Sequence, residues 1–85
     1  MNQNLSYTHY AAIFAQEDLN TLIADFNREV GLRGFNSQRA AHDAALIDEL
    51  IRRDLEVSAI YDGTTIKFAN HIAMDVSGKV IILLE

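Results

Sequence analysis

Gly31-Leu32-Arg33-Gly34-Phe35-Asn36-Ser37-Gln38-Arg39-Ala40-Ala41-His42-Asp43 is the stretch on which the fold turns. One helical pattern stops there and another begins. Gly31 supplies the left-handed residue that commonly closes a helix. Ser37 suits the N-cap of the next one, with Asn36 as the alternative.

Ahead of Gly31, Leu19, Leu22, Ile23, Phe26 and Val30 recur at i, i+3, i+4 and i+7, which predicts a helix over Gln16 to Val30. Glu17 and Asp18 in its first turn suit the positive end of the helix dipole. Beyond the stretch, a second helix is predicted from Ser37 to Arg53. Ala40, Ala44, Ile47 and Ile51 centre its buried face, with Leu46 and Leu50 beside them. Gln38, His42, Glu49, Arg52 and Arg53 point the other way, while Asp43 falls inside the apolar arc.

The flanks read as strands. Tyr7 to Ala15 is aromatic, partly β-branched and apolar on both alternating faces, the pattern of a strand covered on both sides. Glu56 to Glu85 predicts three strands in a meander. Asp62-Gly63 signals a two-residue hairpin turn that pairs Tyr61 with Thr64, Ala59 with Ile66 and Val57 with Phe68. Asp75 to Lys79 reads as a second hairpin loop, with Gly78 in the left-handed position. The last strand, Lys79 to Glu85, is apolar on both faces.

The expected fold is therefore α+β, in the order β-α-α-β-β-β. It is a two-layer sandwich in which an antiparallel four-stranded sheet, order 2-3-4-1, carries two helices on one face. That order keeps the apolar last strand off the edge. The other sheet face is expected to carry Tyr7, His9, Ile60, His71, Ala73 and either Ile81 and Leu83 or their neighbours. This surface is apolar enough to predict burial by a second copy or another protein.

Composition narrows the class. Eighty-five residues fit one small domain, 1–85, which buries only about 60% of its unfolded surface. The absence of cysteine points to a reducing, cytoplasmic setting. A net charge of −5 speaks against nucleic acid as a partner. The first residues lack the basic start and long apolar run of a signal peptide. Val80 to Leu84 is too short to span a membrane.

Chemistry is sparse. Arg33, Asn36, Ser37 and Arg39 surround the start of the second predicted helix, where free backbone N–H groups and a guanidinium could hold an anion. A cap and a helix connection explain the same residues. His9, His42 and His71 lack metal-ligand spacing, so no metal and no cofactor is expected. Asp43 and Asp48 flank the buried stripe, but no nucleophile motif accompanies them and no catalytic residue is assigned. The residues thus predict a small protein–protein interaction or regulatory module that self-associates through the open sheet face or edge. The alternative is a protein, or small enzyme, that binds a phosphate- or carboxylate-bearing ligand at the loop before the second predicted helix.

Overall fold

The computed structural model describes residues 3–32, 34 and 36–84, with side chains from Ser6 onward. Its elements are α1 (Gln3–Gln16), α2 (Leu19–Glu29), α3 (Ser37–Arg52), β1 (Ile72–Met74) and β2 (Ile81–Leu83). The class is α+β, but the expected four-stranded sheet is not formed. Among the described residues the sheet has two antiparallel strands, with Ile72, Ala73 and Met74 facing Leu83, Ile82 and Ile81.

The first correction concerns α1, which was expected as the strand Tyr7 to Ala15. Tyr7, Tyr10, Ala11 and Phe14 also satisfy i, i+3, i+4 and i+7, so the run fits either period. Ala11, Ala12, Ala15 and Gln16 favour the helix. Phe14 is buried, and Tyr7, Tyr10 and Ala11 pack against the core. The Tyr7 hydroxyl donates to Asp48 of α3.

α2 begins at Leu19, three residues later than expected, because Asp18 is its cap and accepts a hydrogen bond from the Thr21 N–H at 2.8 Å. For α3 the cap is Asn36, whose Oδ1 accepts from the Arg39 N–H at 2.8 Å. The buried face of α3 is rotated from the expected one. Ala41, Ala45, Leu46, Ile47 and Leu50 are buried, whereas Ala44 is exposed and Ile51 is 45% exposed. The extra helix bears on this: α1 packs chiefly on α3 and reaches Gln38, His42 and Asp48.

That packing also turns Glu49 and Arg53 inward. Arg53 Nε donates to Glu49 Oε2 at 2.6 Å, and its Nη2 donates to the carbonyls of Phe14 and Glu17 at 2.9 and 2.5 Å. A single guanidinium thereby binds two carbonyls where α1 ends, that of Phe14 in its last turn and that of Glu17 just beyond it. α3 itself closes with Asp54 N–H on Ile51 O at 2.8 Å and Leu55 N–H on Leu50 O at 3.2 Å. This is a Schellman arrangement with an aspartate, φ 66°, at the left-handed position usually held by glycine.

The expected meander is interrupted at two places. Ile60 and Tyr61 N–H groups both donate to Val57 O at 2.9 Å, which bends the chain where a strand was expected. At the Asp62-Gly63 turn, Asp62 Oδ1 accepts from the N–H groups of Thr64 and Thr65 at 2.9 and 2.7 Å. The loop widens to four residues, and Tyr61 faces Ile66 rather than Thr64. The loop from Asp75 to Lys79 does form, with Gly78 at φ 73°.

The edges of the small sheet are finished by residues from elsewhere. Ile72 N–H donates to Asn27 Oδ1 at 2.7 Å, and Asn27 Nδ2 donates back to Ile72 O at 3.0 Å. One carboxamide of α2 thus acts as a neighbouring strand. On the other side, Ile81 N–H donates to Glu56 O at 3.0 Å, and Glu56 N–H donates to Lys79 O at 2.7 Å. The core joins both layers through Phe14, Leu22, Phe26, Leu46, Leu50, Ile60, Ile72 and Ile81. No helix among the described residues is long and apolar enough to cross a membrane.

Candidate functional site

The connection between α2 and α3 brings four ionisable side chains together. Glu29 is the last residue of α2, and Arg39, His42 and Asp43 lie on the first two turns of α3. Positions 39, 42 and 43 are three and four apart, so they share one helical face. That face looks at the end of α2 because Gly31 and Gly34, at φ 83° and 81°, turn the chain back.

Arg39 is the hub. Its Nε donates to Glu29 Oε1 at 2.8 Å and lies 3.6 Å from Asp43 Oδ2. Its Nη1 donates to Gly34 O at 2.8 Å, and its guanidinium sits 5.6 Å above the Phe68 ring. His42 Nδ1 lies 3.0 Å from Glu29 Oε2 and 3.1 Å from Asp43 Oδ1. Its ring stands nearly perpendicular to those of Tyr10 and Phe14 of α1, with centroids 5.0 and 5.2 Å away.

The side chains of Glu29 and Asp43 are only 9% and 4% exposed. Burial, then the neighbouring Asp43 carboxyl, pushes the Glu29 carboxyl up to about 7. His42 is raised as well, first by its hydrogen bond to Asp43 and against the effect of burial. The cluster therefore holds protons that the same groups would release in water. Glu29 Oε2 and Asp43 Oδ2 are both buried without a hydrogen-bond partner. A buried acceptor left unmade is costly, so the proton that Glu29 retains, or a cation in its place, belongs between the two carboxylates.

The cluster stands between two depressions. An open cleft of about 560 Å³ is lined by Tyr10, Asp25, Arg28, Glu29, Gln38 and His42, among others. On the far side, a groove of about 590 Å³ runs over Ala40, Ala44, Ile47, Tyr61, Ile66 and Phe68, with Asp43 at its wall. Arg39 lines both. Among the described residues, no serine or threonine hydroxyl bonds to His42, whose polar partners are the two carboxylates.

The residues expected to hold an anion are placed differently. Arg33 lies outside the described residues. Asn36 is spent as the cap, Ser37 is the first, exposed residue of α3, and Arg39 is directed to carboxylates. Of the expected interface residues, Ile60 and Ile81 are 0% and 2% exposed within the chain's own core. Tyr7 is committed to Asp48, and Ala73 is half-buried. His9, His71 and Leu83 are exposed, the first on α1 and the others at the hairpin. Sequence reasoning missed Glu29 altogether, because helical spacing put it on the polar side. Asp43 within the apolar arc was the one visible sign.

Comparison of the chain with protein families, curated proteins and solved structures finds no match.

Proposed function

We propose that this chain is a small protein-binding module that pairs with a second copy of itself through the outer face of its β-hairpin. The observation that carries this reading is a stripe of Val80, Ile82 and Leu84, which are 36%, 40% and 42% exposed. Their period of two places them on the side of β2 opposite the buried Ile81. Ala73 stands directly across from Ile82 on the same face.

Sideways growth of the sheet is hindered, since Asn27 occupies Ile72 and Glu56 occupies Ile81. Face-to-face packing is the remaining use of the hairpin. Two such faces related by a two-fold axis near Ile82 would match apolar to apolar, a self-complementary contact. The stripe itself carries no charge. Each copy, however, carries −5, so repulsion opposes pairing and added salt relieves it.

Light scattering coupled to size exclusion, across protein and salt concentration, tests this. The expected result is a dimer that tightens as salt rises and is lost in Ile82→Lys, whose circular dichroism matches the parent. A monomer under every condition, or a dimer that survives Ile82→Lys, refutes it. A phosphate or carboxylate ligand at the start of α3 is the weaker reading. Arg39 already pairs with Glu29, and Asp25 and Glu29 line the same cleft.

A further inference from the structure

We propose that Glu29, His42 and Asp43 form a binding site for a divalent first-row transition-metal ion. Each offers one ligand atom, and the three atoms lie within 4.8 Å of one another. Two of the three separations suit a common ion, and the third, between the carboxylates, is within 4.8 Å. Metal–ligand bonds of about 2.1 Å at angles of roughly 90–110° place neighbouring donors ~3.0–3.4 Å apart. His42 Nδ1 lies 3.0 Å from Glu29 Oε2 and 3.1 Å from Asp43 Oδ1.

A second, independent observation comes from hydrogen bonding. Nδ1 faces two carboxylate oxygens, and a single proton on it can bond well to only one of them. In the structure that one is Asp43 Oδ1, which leaves Glu29 Oε2 buried and unsatisfied. Asp43 Oδ2, also without a hydrogen-bond partner, faces Arg39 Nε at 3.6 Å instead. An ion in place of the proton would bond the imidazole nitrogen, Asp43 Oδ1 and Glu29 Oε2 together. The cleft beside Glu29 and His42 gives the ion an entry path and room for water as further ligands.

The surrounding charges set the class of ion and its strength. One imidazole and two carboxylates suit Zn²⁺, Mn²⁺ and their neighbours better than Ca²⁺ or Mg²⁺, which prefer oxygen alone. Arg39 occupies Glu29 Oε1 and stays within 3.6 Å of Asp43 Oδ2, so the ion binds beside a fixed positive charge. Asp25 adds a further carboxylate to the cleft, but it is paired with Arg28. The net charge offered, two carboxylates against one guanidinium, makes binding moderate and readily reversed by chelator.

The test uses metal-stripped protein with Zn²⁺ alone and Mn²⁺ alone. Thermal unfolding should shift upward with Zn²⁺, reaching about a 100-fold gain in the folding equilibrium at one hundred times Kd. His42→Ala and Asp43→Asn should each weaken binding at least tenfold by calorimetry, while His9→Ala and His71→Ala leave it unchanged. No shift with either ion, or equal shifts in all four variants, overturns the proposal. Should His42→Ala and Asp43→Asn fail to fold, the parent protein decides. Mn²⁺ must broaden the amide resonances of Glu29, His42 and Asp43 first. Broadening centred instead on the exposed turns at Asp62 or Asp75 overturns it.

Discussion

At the scale of single residues, Asp54 shows how little a sequence announces of a helix end. It holds the left-handed position after α3 with φ 66°, where a side chain is strained and glycine is not. Leu55 then packs into the core behind it, which is the gain that keeps the turn. Asp54→Gly should stabilise the protein by about 0.5–1 kcal/mol, read as a higher urea midpoint with unchanged slope. An unchanged or lower midpoint would mean that the aspartate makes up its own strain locally. Nothing in the sequence around Asp54 marks it as a left-handed residue, whereas Gly31 and Gly78 announced theirs. The ionic cluster was half legible for a similar reason. Asp43 stood out because it interrupts an apolar arc, but Glu29 looked like any carboxylate on a helix surface. Only the return of the chain at Gly31 and Gly34 brings the two together.

At the scale of elements, the two helices around the 31–43 stretch were legible because each carries a one-sided stripe and a capping residue. α1 was not, because its apolar residues lie all round, so the run fits the strand period as well as the helical one. Its consequences spread: a helix in place of a strand removes the sheet's fourth member and packs on α3. The meander failed at its turns. Asp62 was read as the first residue of a two-residue turn, yet its carboxylate can equally collect the next free N–H groups and widen the loop. The sheet that remains depends on α2. Asn27→Ala removes both bonds to Ile72 and leaves a part-buried N–H and C=O without partners. It should destabilise the protein by about 1–3 kcal/mol in chemical denaturation. A loss of under about half a kcal/mol would show that water replaces the carboxamide without penalty.

At the scale of the whole molecule, ionisation divides the pH axis in two. Glu29, raised from 4.5 to about 7, and His42, raised above 6.5, bind protons more tightly when folded. Their contribution is full below those ordinary values and is lost as pH rises through the folded ones. Asp18, Glu49, Glu56, Asp62 and Asp75 are lowered by hydrogen bonds, so their contribution is lost on acidification instead. The two slopes meet near pH 5. In chelator, Tm should be highest there and fall toward pH 8, by on the order of 2 kcal/mol in stability. Glu29→Gln should flatten the alkaline side. A parent whose Tm rises from pH 5 to 8, or a variant with the parent's slope, contradicts this account.

The carboxamide of Asn27 also decides which parts of the chain open together. The Ile72 amide is held by a residue 45 positions earlier, so its deuterium uptake waits on α2 rather than on the three-residue strand that contains it. Hydrogen exchange should then find α2 and the hairpin opening together, and α1, packed chiefly on α3, opening apart from them. Loosening α1 would bare the α3 flank and leave the hairpin closed. Loosening α2 would release the hairpin with it.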